Sequence, residues 1–250
     1  MSELNNLMVI VLYLRVTFAK EKNMPSFLAN VRIDVSNKIF LKDPNSSDLG
    51  KDILRKGLIM IDELGLEKFT FKKLASEVGT TESAVYRYFE NKHKLLHYYV
   101  SWYWGWLEYN LAFGTANIDS DKKRLETAIK IITRDLTVIK SASFDLNSLQ
   151  RVIVAEGAKS YHTKSVDDEN KEGLFIQFKN LCERMSKMIL QLAPKYPFAH
   201  SLASLFIESH LDQLFFSEHL PSICDLNGND NTRFNFYNNL ILGSIEKWRV

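Results

Sequence analysis

Apolar residues recur along most of this chain at helical intervals, but the first clear pattern is not helical. In VRIDVSNKIFLKD, Val31, Ile33 and Val35 alternate with polar residues, Ile39 and Leu41 do so again, and Ser36-Asn37 lies between the two runs. Period-two alternation around a short polar turn predicts a small β-hairpin. PNSSD at 44–48 follows as a loop and helix start, where Ser46, Ser47 or Asp48 can cap the free amides of a first turn. Then the period changes. Ile53, Leu54, Leu58, Ile61 and Leu64 mark one face of a first helix, and Gly65 stops it. Four or five further helical segments are expected to fill the remainder, broken at 114–120, 141–145, 161–166, 193–197 and 221–231. The expected fold is all-α, with a short N-terminal hairpin.

Two short helices within this pattern stand close together. Thr70 can cap FKKLASEV, whose Phe71, Leu74, Ala75 and Val78 share a side; Gly79 ends it, and Thr80 or Thr81 caps ESAVYRYF. Two short helices joined through a glycine turn form a helix-turn-helix signature. Val85 and Phe89, at i and i+4, face inward, which leaves Glu82, Ser83, Tyr86 and Arg87 outward. Asn91 can cap the next helix, and Lys92 in its first turn, beside free amides and a positive dipole end, suits a phosphate. On spacing alone, two amphipathic helices of an ordinary bundle fit as well.

The run T-x3-LA-x2-VG-T-T-x-S-x-VY-x-YF-x-NKHKLL, with the helix before it, resembles the DNA-binding domain of TetR/AcrR-type bacterial transcriptional regulators over roughly 48–98. The resemblance implies an N-terminal extension (1–46), a three-helix DNA-binding domain (47–96) and a helical ligand-binding and dimerisation domain (97–250). It implies that Glu82, Ser83, Ala84 and Arg87 sit in the major groove of a double-stranded operator. Thr81, Tyr86, Tyr88 and Lys92 would hold phosphates, with Lys72 or Lys73 adding to them. Tyr88 stands where the family often has histidine. Glu82 is acidic at the groove, where it can accept a hydrogen bond from a cytosine amino group.

In the second half, Leu95, Tyr99, Trp102, Trp106, Tyr109 and Phe113 form an aromatic stripe at helical spacing, with Trp104 off it. Such a stripe packs a core or walls a pocket, and the resemblance implies a pocket for a small hydrophobic or amphipathic effector. Trp102, Trp106 and Tyr109 are its candidate walls. Arg151, Glu156 and His210, each in an otherwise apolar run, are its candidate polar groups. Residues 198–220 and 232–248 carry apolar side chains around more than one face, which a second subunit would bury. The resemblance places a homodimer interface there. A two-fold dimer sets its recognition helices about 34 Å apart, or multiples of it, on a palindromic operator.

Composition narrows this little. A formal net charge of +2 creates no global basic field, so any DNA-binding surface must be local. Cys182 and Cys224 lack metal or disulfide spacing, which fits a reduced, cytoplasmic chain. His93 and His97 are i, i+4, but no third ligand lies near them in sequence, so no metal site is expected. No GxSxG, HExxH, GxxxxGK[ST] or GxGxxG occurs, so neither an enzyme nor a cofactor is expected. LMVIVLYLRVTF at 7–18 is too short to span a bilayer and is interrupted by Arg15, so no membrane partner is expected. It reads as a buried or loosely attached segment, or as sequence ahead of a true start at Met24. The combined expectation is a ligand-responsive repressor. The alternatives are a DNA-binding protein governed by a protein partner, and an all-α enzyme using the aromatic cavity.

Overall fold

The structure, a computed structural model, describes residues 33–134, 136, 144–226 and 230–249. The apolar run at 7–18, Met24 and Val31 lie outside the described residues. Within them there are ten α-helices and no strand. α1 (Asp48–Lys68), α2 (Phe71–Val78) and α3 (Glu82–Tyr86) pack in sequence order. α4 (Lys92–Thr115) leads away from them into α5 (Asp121–Thr133), α6 (Leu146–Glu156), α7 (Val166–Lys171), α8 (Ile176–Leu192), α9 (Ala199–His219) and α10 (Asp230–Ile245). Among the described residues nine helices thus follow α1, more than the four or five expected. One reason is Gly173, whose φ of 81° ends α7 and divides a stretch expected to be continuous.

The expected hairpin is corrected. Residues 33–43 run as an irregular strap with a turn at Asn37-Lys38. Its alternation still reports burial, since Ile33 and Ile39 are both in the core. A strand also needs a hydrogen-bonded neighbour, and the strap's backbone bonds go elsewhere. Ile39 N donates to Ser36 O, and Leu41 N donates to the Tyr88 carbonyl at 2.8 Å. Alternation therefore marked Ile33 and Ile39 as inward without specifying a ladder, while Leu41 is exposed.

The helix ends follow local chemistry. Ser47 Oγ accepts from Gly50 N, Thr70 Oγ1 from Lys73 N, Thr81 Oγ1 from Ala84 N, and Asn91 Oδ1 from Lys94 N. Each satisfies an amide that the first turn leaves free, worth about 1 kcal/mol. Gly79 closes α2 in the left-handed region, φ 80° and ψ 38°. Gly65 breaks α1 near its end, at φ 74° and ψ 155°, a conformation that a Cβ would strain.

α4 is the axis of the molecule. Every residue from Leu95 to Leu107 is buried, so the expected stripe was too narrow. Trp104, expected off it, packs on Phe178 of α8 with ring centroids 5.0 Å apart. The stripe's far end is less buried: Tyr109 is half-buried and Phe113 exposed. A helix apolar on all sides must be surrounded, and α5, α6 and α8 do this. Tyr99 ties it to α1, its hydroxyl donating to Leu54 O at 2.8 Å.

His210 belongs to this interior. It is 1% exposed, neither ring nitrogen has a hydrogen-bond partner, and its ring meets Tyr237 edge-on. Burial, with Arg233 adding repulsion, lowers its pKa to about 3. A base depressed in the folded state binds its proton first in the unfolded state. Its effect on stability is therefore nil above pH 6.5 and grows as the pH falls towards 3. At pH 5 the loss should be about 2 kcal/mol. His210→Leu should lose about 2 kcal/mol less stability than the parent chain between pH 7 and pH 5, measured by urea unfolding. An equal loss in both would mean that His210 protonates freely in the folded chain.

Candidate nucleic-acid interface

α3 spans five residues and stands on α2. Val85 and Phe89 are fully buried beneath it, as their spacing predicts. Thr81, Glu82, Ser83, Tyr86 and Arg87 are exposed on its outer side. Thr81 Oγ1 and Ser83 Oγ lie 3.0 Å apart, joining the cap to the first turn. Tyr86 is 46% exposed, but its ring is held edge-to-face on Phe71 at 5.0 Å. The outer row is thus short, polar and fixed from below.

Its support converges on the corner at Gly65. Past that break, Leu66 N donates to Glu156 Oε1 at 2.9 Å, across from α6. Lys92 Nζ donates to the carbonyls of Leu66, Glu67 and Phe69 at 2.8, 3.1 and 3.4 Å. Lys73 Nζ takes Lys68 O at 2.9 Å. One turn earlier, Arg151 grips Asp62 with two bonds of 2.9 and 2.5 Å. Beside these contacts α1, α6 and α9 enclose a cleft of about 370 Å³, lined by Ile61, Asp62, Arg151, Glu156, Leu214 and Phe215 among others.

Residues 53–99 match the family model described as bacterial regulatory proteins, tetR family. Over that stretch the chain is similar to the N-terminal domain of tetR-family regulators. Solved structures share the fold over a longer span. FadR, the fatty acid degradation regulator from Bacillus halodurans, superposes with a TM-score of 0.58 at 12% identity, over 79% of this chain and 96% of that one. The SmeT–triclosan complex gives 0.54 at 15%, over 79% and 91%. The ketosteroid regulator KstR2 of Mycobacterium tuberculosis gives 0.52 at 13%, over 80% and 95%. No curated protein matches the chain in sequence.

Several of the expected DNA contacts need correction. Ala84 is buried and packs beneath α3, so it does not present itself to a groove. Tyr88 is 3% exposed; its hydroxyl lies 2.8 Å from Ser47 Oγ and accepts from Lys42 Nζ at 3.4 Å. α3 ends at Tyr86, and the turn after it swings Tyr88 under the strap. Lys92 and Lys73 have spent their ammonium groups on carbonyls at the end of α1, where a helix leaves acceptors unpaired. Lys72 stays exposed, and the strap adds Lys42 beside Tyr88, a cation that the sequence reading left in the extension.

The expected effector residues separate. Arg151 and Glu156 line the cleft at the corner, though both already hold partners. Trp102 and Trp106 are buried core rings, packed on Phe144 and beneath the Arg134 guanidinium respectively. Tyr109 stacks on Phe113, and His210 is core. A part-buried polar pair escaped sequence reading altogether. Tyr161 donates to Glu208 on α9, whose carboxyl burial raises above the usual range. The two residues lie 47 apart in the chain, so no local spacing could have signalled them. Finally, the histidine pair does have a carboxylate neighbour: His93, His97 and Glu169 of α7 bring ligand atoms within 4.8 Å of one another.

Lys92 and Lys72 should therefore separate in solution. Lys92→Met should cost about 2 kcal/mol of stability through lost charge-assisted bonds, with little change in the salt dependence of binding to duplex DNA. Lys72→Ala should leave the melting temperature in place and lower the slope of log K against log salt by about 1. Fluorescence anisotropy at several salt concentrations, with thermal unfolding alongside, checks both.

Proposed function

We propose that this chain is a homodimeric transcriptional repressor that leaves a palindromic operator when a small amphipathic molecule binds. The observation that carries this reading is the Gly65 corner, where residues of the helical domain directly hold the end of the first DNA-binding helix. Moving α6 would move that end, because Glu156 binds Leu66 N and Arg151 binds Asp62. The adjoining cleft has apolar walls at Ile61, Leu214 and Phe215 and a polar edge at Asp62, Arg151 and Glu156. Such a site suits a molecule with an apolar body and a polar head. The complex of SmeT with triclosan supports the view that this fold accommodates small molecules. Binding would act through differential affinity, favouring the arrangement in which the paired recognition helices no longer match the operator.

The dimer is supported by apolar side chains left on the last two long helices. Leu205 on α9 is 59% exposed, and Phe236 and Leu240, i and i+4 on α10, are 45% and 39% exposed. Apolar area of this kind is stabilised by leaving water, at roughly 25 cal/mol per Å². At the DNA, Arg87 is the reader, Thr81 and Tyr86 contact phosphates with Lys72, and Ser83 allows close approach. Glu82, in the first turn of α3, accepts from a cytosine amino group.

Selection of bound fragments from a random duplex library should recover an inverted repeat. Arg87→Ala should then relax preference at one base pair of each half-site, by about 1–3 kcal/mol of discrimination; a uniform loss over all sequences would make Arg87 a phosphate contact. Phe236→Glu combined with Leu240→Glu should sediment as a monomer at micromolar concentration, where the parent chain sediments as a dimer. A dimer persisting in the double variant would place the interface elsewhere.

A further inference from the structure

His93 and His97 sit one turn apart at the start of α4, and Glu169 reaches them from α7. His93 Nε2 is 3.4 Å from Glu169 Oε1, and His97 Nε2 is 3.9 Å from Oε2. The cluster is secluded: the His97 side chain is 1% exposed, that of Glu169 8%, and that of His93 26%. Both nitrogens of His97, His93 Nε2 and Glu169 Oε2 are buried without a hydrogen-bond partner. Buried polar atoms are nearly always paired, and an unpaired one costs about as much as a lost hydrogen bond. One such atom from each residue comes within 4.8 Å of the others, and three buried atoms meeting in this way call for a shared partner. Lys94 Nζ donates to Glu169 Oε1 at 3.1 Å, and Oε2 is left facing His97.

We propose that His93, His97 and Glu169 bind a divalent transition metal of the Zn2+ class, bracing the start of α4 against α7. Two imidazoles and one carboxylate select a borderline metal over Mg2+ or Ca2+, which prefer all-oxygen shells. Zn2+ takes this donor set with a fourth position open to water or to an anionic ligand. In a tetrahedron with bonds near 2.0–2.1 Å, ligand atoms lie about 3.3 Å apart. The triad must contract from its present spread, which rotation of the Glu169 carboxylate and the partly exposed His93 ring supplies. Lys94 then acts from outside the metal shell, orienting the carboxylate as such partners do.

The position gives this site a regulatory meaning. His93 directly follows Lys92, whose ammonium holds the Gly65 corner. A metal tying the first turns of α4 to α7 would therefore stiffen the base of the DNA-binding domain from a side different from the effector cleft. The metal site rests on none of the effector reading, and its test uses no DNA.

The full chain, stripped with a chelator, would be titrated with Zn2+ in competition with a chromophoric chelator. We expect one Zn2+ per chain, with a dissociation constant of about 1 μM or below. His93→Gln and Glu169→Gln should each weaken it by at least about 100-fold, since loss even of an outer partner costs 10–100-fold. His200→Gln, at the exposed His200–Glu183 pair, should leave it unchanged. Melting temperatures without metal check that each variant folds; if Glu169→Gln does not, the partly exposed His93→Gln decides alone. Absence of stoichiometric binding by the parent chain, or parent-like affinity in a folded His93 or Glu169 variant, would overturn the site.

Discussion

A chain reversal at Gly65 leaves one amide and several carbonyls without helical partners, and the architecture is arranged around supplying them. The amide of Leu66 goes to Glu156, from α6. The carbonyls of Leu66, Glu67 and Phe69 go to Lys92, from the first turn of α4. An anion and a cation from different elements thus clamp the same few peptide groups. Each such charge-assisted bond is worth about 1.5–3 kcal/mol, and together they join the α1–α3 unit to the helices beyond it. A break in one helix has become the contact between two parts of the chain.

The long helix α4 gives that contact something rigid to act against. Surrounded along most of its length, it has no solvated face on which to bend or slide, and interiors this closely packed shift between discrete arrangements rather than deform smoothly. Its aromatic rings are therefore better placed to transmit than to bind. Trp102 and Trp106, candidates for a pocket wall, are occupied by packing. The open volume beside the corner lies instead between α1, α6 and α9. Binding there would compete for the Arg151–Asp62 grip, whereas binding beside the α4 axis would have to dismantle the core.

Much of the α1–α3 unit was legible because its determinants are local. Caps at Thr70 and Asn91, the left-handed turn at Gly79 and the inward pair Val85–Phe89 each depend on residues within a turn or two. The errors share a cause. Ala84, Tyr88 and Lys92 were assigned by resemblance to surface contacts, but Ala84 is buried on the inner side of α3, and Tyr88 and Lys92 are claimed by groups distant in the chain. Tyr88 is covered by the strap through Ser47 and Lys42, and Lys92 reaches back to carbonyls near residue 67. The β-hairpin failed similarly, since alternation found the inward Ile33 and Ile39 but not what the backbone would bond to.

The same division holds for the whole protein. Sequence alone determined the caps and turn of α2 and α3, that Glu82, Ser83, Tyr86 and Arg87 point outward from α3, and that most of the described residues are helical, because helix periods, caps and turn glycines act over a few residues. Only the tertiary structure decided which polar side chains remain available. It paired Arg151 with Asp62, Glu156 with Leu66 and Tyr161 with Glu208, and it brought Glu169 to a histidine pair that had no third ligand nearby in sequence. These meetings join segments far apart along the chain, and the packing that creates them leaves no periodic trace in either segment.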